Sequence, residues 1–177
     1  MPTLLRLLLS FSFSVVALPQ LQAAASSILQ ASSSFSAGID TLQNQIGYHF
    51  QSVDLLRRAM THSSFSRDNN RALSLLGLSA MEATAAFSLL RDDPEASAAA
   101  VNGRIAEIAG FETCSAAGNR LGIEKLVRVA SGTTASPAIV CGALRAMFGA
   151  ISVDAGGIDA VGKVVLRVVG SGLLLAG

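Results

Sequence analysis

Apolar residues recur at helical spacing through most of residues 40–170 of this chain, and the strict alternation that a half-buried strand requires is scarce. Ala and Leu dominate the same stretch, and both favour helix. Such a chain is restricted to helices packed on helices around one apolar core. Hydrophobic residues make up 51% of the 177 positions and charged residues 14%, which excludes a disordered polymer and supplies enough apolar material for a sizeable core.

Local signals divide the pattern. Asp40–Ile46 reads as a first helix ended by Gly47. Ser52 is placed to cap a second, whose Leu55, Leu56 and Ala59 share a face. A third, Arg71–Leu90, carries Leu73, Leu76, Ala80 and Phe87 as its apolar face. Asp93-Pro94-Glu95 has the form of a helix start, with a capping acid, a proline at the first helical position and an acid in the first turn. It predicts a helix through Ala109, before Gly110. Ser136-Pro137 repeats the signal and predicts a helix to Asp154, closed by Gly156-Gly157. A last helix, Ile158–Val169, offers Val161, Val164, Val165 and Val168 for packing. No internal repeat is visible. The expectation is a single all-α domain over residues 40–170, followed by a tail at 171–177.

The beginning of the chain has a different character. Arg6 is the only charge before Asp40, and an apolar run from Leu7 to Leu18 is broken only by serines. Pro19 follows, then the small residues Ala23-Ala24-Ala25. Residues 1–25 therefore have the layout of a secretory signal, and the run is too short to cross a membrane, which takes about 20 apolar residues. A mitochondrial or chloroplast address is the alternative, since residues 1–39 are poor in acids and rich in Ser and Ala, although one Arg is few for a mitochondrial presequence. Residues 26–39 read as a Ser/Ala-rich linker in which Ile28 and Leu29 can support a weak helix. Once the leader is removed, no membrane association is expected.

Net charge is +1, so no strong field advertises a nucleic-acid partner, and any contact with RNA must be local, weak and salt-sensitive. The chain has no Trp and a single Tyr, Tyr48, which argues against a stacking platform for unpaired bases. Cys114 and Cys141 are too few for a disulfide framework or a zinc site. They read as small buried hydrophobes, with one bridge open to them if the chain is exported.

An ordered set of short patterns resembles the ribonuclease III domain. It begins with Ile46-Gly47-Tyr48-His49-Phe50 and Leu55-Leu56, and continues with Ala59-Met60-Thr61-His62-Ser63-Ser64, which is similar to the family's leucine-threonine-histidine-x-serine stretch. After Asn69-Asn70, the run Leu73-Ser74-Leu75-Leu76-Gly77-Leu78-Ser79 has the frame of the family signature. Val101-Asn102, Ile105–Ala109, Leu121-Gly122, Leu126 and Gly149–Gly157 follow in the expected order, so the resemblance covers about residues 42–168. It implies a helical domain that uses four carboxylates to hold magnesium and cut double-stranded RNA.

Those acids are absent at the matching positions. The signature's glutamate and aspartate fall on Ser74 and Leu78, and the second acidic pair falls on Gly142 and Arg145. Magnesium requires oxygen ligands, usually with one or two carboxylates, and it is the metal that activates water and steadies the leaving oxygen. Loss of the magnesium cofactor and of catalysis is therefore the expectation. Glu82, one helical turn after Leu78, is a weak candidate for a displaced metal ligand. Alternatively, it can pair with Arg145, a salt bridge standing where the metal stood.

The remaining candidates are binding residues. Arg71 and Arg145 fall near the former catalytic face and, with Arg67, are candidates for RNA phosphate contact. Ordinary ion pairing is the competing reading, and Arg57-Arg58 with Arg67 reads as a solvated basic cluster. His62 is expected to serve packing and capping, and His49 to sit in a solvated turn. The signature aromatic that helps form the family dimer is Leu75 here, an interface candidate with a smaller knob. The family's usual duplex-binding domain is not expected after the last helix. Three functions stay open: a non-catalytic module of RNA processing that binds duplex RNA weakly or dimerises with itself or a similar partner, a helical protein-interaction domain without RNA contact, and a residual endoribonuclease with other ligands.

Overall fold

The computed structural model describes residues 17–173 and is helical throughout, with no strand among the described residues beyond one isolated parallel bridge between Thr61 and Arg128. The helices are α1 (Ala17–Ile46), α2 (Val53–Ala59), α3 (Arg71–Asp92), α4 (Ala98–Ala109), α5 (Phe111–Arg120), α6 (Ile123–Leu126), α7 (Pro137–Asp154) and α8 (Asp159–Leu173). The chain divides into two compact units between Ser36 and Ala37, inside α1. The first, where described, is helix, so the stretch 26–39, expected as a linker, is helical in both units. Its serines stay within helix by turning their hydroxyls onto carbonyls three or four residues back, as Ser26 does with Gln22 and Ser33 with Gln30. Most of the proposed leader, residues 1–16, lies outside the described residues, as does the end of the tail, 174–177.

In the second unit, α7 is the buried centre. Ser136 caps it by accepting a hydrogen bond from the Ile139 N–H, Pro137 occupies its first turn, and Gly156 adopts φ +71° just past its end. Leu144, Met147, Phe148 and Ile151 are fully buried on it, each large apolar side chain contributing roughly 1.5–3 kcal/mol by leaving water. α3 lies along α7 at very close range. A methyl group at Gly77 would overlap the Arg145 carbonyl oxygen, and one at Gly149 would overlap that of Leu73. Both helices are long and apolar enough to cross a membrane by length and composition, and 61% of α7 is buried inside the protein. α8 contributes Val161, Val164, Val165 and Val168, all buried, as the spacing predicts.

Several expectations need correction. On α3, Leu73 and Ala80 are buried, but Leu76 and Phe87 are exposed, Phe87 at 67%. The face toward α7 runs instead through Leu73, Gly77, Ala80, Met81, Ala85 and Ser88, mostly small residues that permit the close approach. Asp93 does not start a helix. It follows the end of α3, and its carbonyl accepts from the Ala96 N–H, so Pro94 sits in a turn. Ser97 is the true cap of α4, accepting from the Ala100 N–H. The side chain of Ser52 makes no capping bond. Helix α5 has no counterpart among the elements expected from the sequence. Cys114 on α5 is joined by a disulfide to Cys141 on α7, with Cα atoms 5.1 Å apart, so the two are bonded to each other as well as buried.

Candidate functional site

The connection between α2 and α3 is held by polar contacts with few degrees of freedom. The Asn70 N–H donates to the Thr61 carbonyl at 2.9 Å, and its side-chain amide donates to the Ala59 carbonyl at 3.2 Å. The Thr61 hydroxyl donates to the Arg57 carbonyl at 2.8 Å and accepts from the Arg128 guanidinium at 2.6 and 3.2 Å. Arg128 also lies 5.1 Å from the centre of the Phe65 ring. Burial, and then the nearby Arg57 cation, lower its pKa from the usual arginine value. The His62 N–H donates to the Arg128 carbonyl at 2.9 Å. The ring Nδ1 of His62 accepts from the Ser64 N–H at 3.2 Å and lies 2.9 Å from the Ser64 hydroxyl, which puts the ring proton of the neutral imidazole on Nε2.

This pinned connection forms one wall of a cleft of about 560 Å³. His62 and Ser63 come from the connection, Asn70, Arg71, Ser74 and Leu75 from the start of α3, and Ala138, Ile139 and Gly142 from the start of α7. Its lining holds no carboxylate. Among the described residues there is no group of three or more His, Cys, Asp or Glu side chains placed to hold a metal ion.

The four positions that the sequence resemblance sets against the family's acids separate into two pairs. Ser74 and Gly142 face the cleft together. Leu78 and Arg145, one turn further along their helices, do not line it. The expected Glu82–Arg145 salt bridge is not formed. Arg145 instead donates to the Ala109 carbonyl at 2.9 Å, the last residue of α4, where a helix end leaves carbonyls unpaired and partially negative. Its Nε is buried without a hydrogen-bond partner. Glu82 is half-buried on α3, away from the cleft lining. Of the RNA-contact candidates, Arg71 lines the cleft, Arg67 is exposed on the connection outside it, and Arg145 is turned to α4. Arg57 and Arg58 pair with Asp54 and Asp68, at 3.4 and 2.9 Å. Leu75 is 72% exposed at the cleft edge, and His49 is exposed.

Two features are not evident from the sequence. Asp154, at the end of α7, accepts from the Gln51 and Ser52 N–H groups at 2.9 and 2.8 Å and from the Tyr48 hydroxyl at 2.9 Å. Burial alone would raise its pKa, but these three donors together bring it below the usual carboxylate value. Tyr48 is raised to about 12 by burial, by its bond to Asp154 and by that carboxylate's charge. The one signal for this anchor is the polar loop 48–52, whose backbone donors need an acceptor. The second feature is an apolar groove of about 520 Å³ between α3 and α8, including Phe87, Ile158 and Leu166.

Comparison with known proteins agrees with this architecture. A family described as ribonuclease-III-like matches residues 52–171. The chain is 44% identical over 142 residues to the protein nuclear fusion defective 2 of Arabidopsis thaliana, covering 79% of this chain and 74% of that one. It is 32% identical over 120 residues to ribonuclease 3 of Pseudomonas fluorescens, covering 65% of this chain, and it spans only 52% of that protein's length. The nuclease domain of ribonuclease III from Campylobacter jejuni superposes with a TM-score of 0.69 at 24% identity, over 74% of this chain and 95% of that one. The helical order, the glycine-tight α3–α7 crossing and these matches agree: the chain belongs to the ribonuclease III-like family.

Proposed function

We propose that this chain is a non-catalytic ribonuclease III-like module that associates weakly with duplex RNA and pairs with a second such module. The observation that carries the reading is the donor set of the cleft. Around Ser74 and Gly142, two of the positions the resemblance matches to family acids, the lining offers hydroxyls, an amide, an imidazole and a guanidinium, and no carboxylate. Magnesium dehydrates reluctantly and is usually held through carboxylates, so these residues do not fit it and support no metal-assisted step. Arg145, at a matched position, adds a cation rather than a ligand. Pairing is supported by the outer face of α3, where Leu75, Leu76, Phe87 and Leu90 are exposed on one helix. The Campylobacter structure is described by a region involved in dimer formation, which fits the same expectation. The name of the Arabidopsis relative suggests nuclear fusion as the process served.

A second reading is a protein-interaction domain without RNA contact. The Cys114–Cys141 bridge favours it, because disulfides persist in oxidising compartments and the leader at residues 1–25 reads as a secretory signal. Sedimentation velocity of the full chain with a fluorescent duplex RNA and magnesium separates the readings. A dimer carrying intact RNA at low salt, released as salt rises, is expected. Magnesium-dependent shortening of the RNA would overturn the non-catalytic reading. A species that carries no RNA at any salt would leave the protein-interaction reading.

A further inference from the structure

We propose that the groove between α3 and α8 binds a single-chain amphiphile, with its alkyl chain in the groove and a carboxylate head at Lys163. The inference stands apart from the reading of the cleft, with which the groove shares no residue. Small residues at the helix contact make the groove. Gly162 of α8 faces Thr84 of α3, whose side chain lies 3.7 Å from where a Gly162 Cβ would sit. With Ala83 and Ser88 beside them, the two helices leave a channel of about 520 Å³. Phe87 from α3 and Ile158 and Leu166 from α8 wall it, and Phe87 and Ile158 are exposed. The two hydroxyls of the lining are already engaged on their own helix. Thr84 donates to the Ala80 carbonyl at 2.7 Å and Ser88 to the Ala85 carbonyl at 2.8 Å. Such a lining suits an alkyl chain, whereas the backbone of an extended peptide would lose its water partners there without replacement.

Charge places the head. Asp159 and Lys163, one helical turn apart on α8, line the groove and also a second cavity of about 360 Å³, to which Tyr48 and Arg167 contribute. Lys163 is exposed and has no hydrogen-bond or ion-pair partner among the described residues. Arg91, the other cation of the groove, differs, since its guanidinium is held by Asp92 at 2.8 Å. Arg167 is fixed over the end of α1, where it donates to the Ile46 carbonyl at 3.2 Å. The Tyr48 hydroxyl is committed to Asp154. Asp159 opposes an anion, but Lys163 and Arg167 are two cations against that one carboxylate, so the junction of the two cavities is positive. An unpaired ammonium at the edge of an apolar channel matches a ligand that is alkyl at one end and carboxylate at the other.

Chain length and head charge test the two halves of the site separately. Full-length protein is titrated calorimetrically, at mildly alkaline pH and fixed ionic strength, with octanoate, decanoate and dodecanoate below their micelle concentrations, and with dodecyltrimethylammonium. Each added methylene is expected to tighten binding by roughly two- to fourfold, as burial of the chain requires. Lys163→Glu is expected to weaken dodecanoate about tenfold or more and to turn the preference toward the ammonium amphiphile. Phe87→Ala is expected to weaken all three carboxylates by roughly tenfold without changing that preference. Both side chains are exposed, and an unchanged amide NMR spectrum away from the groove confirms that each variant is folded. Absence of saturable binding, an affinity indifferent to chain length, or a Lys163→Glu variant that still prefers dodecanoate overturns the proposal. Dodecanoate binding that weakens as protein concentration rises assigns the groove to a second copy of the chain and overturns it as well.

Discussion

The α3–α7 pair has two regions of opposite character. At their crossing, Gly77 and Gly149 let each backbone reach the other's carbonyls, and the space beside them is full. One to two turns toward the start of α7, Gly142 opens on the cleft, with nothing within 4 Å of where its Cβ would sit. Two of these glycines are steric requirements of the packing, and the third stands in open space at a position that the sequence resemblance sets against a family acid. The difference teaches that the scaffold and the chemistry of this site are separable. The crossing is fixed by backbone contact, so its residues are constrained by packing, whereas the cleft rim at Gly142 has room for a side chain and its residue type is not set by packing.

The largest effect is expected where the packing is tightest. Gly77→Ala places a methyl group into the Arg145 carbonyl, a backbone atom that cannot rotate away. Forcing α3 from α7 should cost roughly 3 kcal/mol or more, at the upper end for overpacking. Urea denaturation of the full chain measures it. A loss below about 1 kcal/mol would show that the crossing is more yielding than the contact implies, and the contrast with the cleft would fail.

An intermediate effect belongs to the far end of α7, which keeps an acid. Asp154→Asn removes a charged acceptor from the loop 48–52 and should cost roughly 1.5–3 kcal/mol. The pH dependence has two arms. The folded pKa of Asp154 is lowered, so its contribution is present above the usual carboxylate value and is lost as pH falls through the lowered one. The folded pKa of Tyr48 is raised from 10.0 to about 12, so its contribution is complete below about 10 and is lost as pH rises toward 12. Because Tyr48 is the only tyrosine, tyrosinate absorbance follows it directly. In Asp154→Asn the tyrosinate midpoint should move down toward 10, and an unmoved midpoint would sever the link between the two groups.

How far the sequence reaches depends on which physical signal each part uses. Ser136-Pro137 is legible because a hydroxyl cap and a proline in the first turn act within a few residues. Asp93-Pro94 carries the same signal and makes a turn, since Asp at the first and Pro at the second position of a β-turn are equally good local chemistry. Helix α5 is invisible because it buries Cys114, Ser115, Ala117 and Gly118, which leave little apolar periodicity. Phe87 and Leu76 read as inward-facing beside Leu73 and Ala80 and are not, because the buried face is rotated toward Gly77, Met81, Ala85 and Ser88, where mostly small residues admit α7, and apolar spacing gives no weight to small residues. The pairing of Ser74 with Gly142 follows from family resemblance, and the fold brings them to one cleft. The path of Arg145 to the end of α4 depends on where a third helix stops, which spacing along α3 and α7 does not encode.

The smallest effect has the opposite sign and is the sharpest test of the contrast. Gly142 lies inside a helix, where glycine costs roughly 0.5–1 kcal/mol relative to alanine because the unfolded chain loses more freedom on folding. A methyl group there meets nothing within 4 Å, so no clash offsets the gain. Gly142→Ala should therefore stabilise the fold by about 0.5–1 kcal/mol, in the same denaturation assay in which Gly77→Ala destabilises it. The same chemical change would then have opposite signs on two helices that touch. If Gly142→Ala instead destabilises the chain, the space beside Gly142 is needed for packing, and the cleft rim belongs to the scaffold after all.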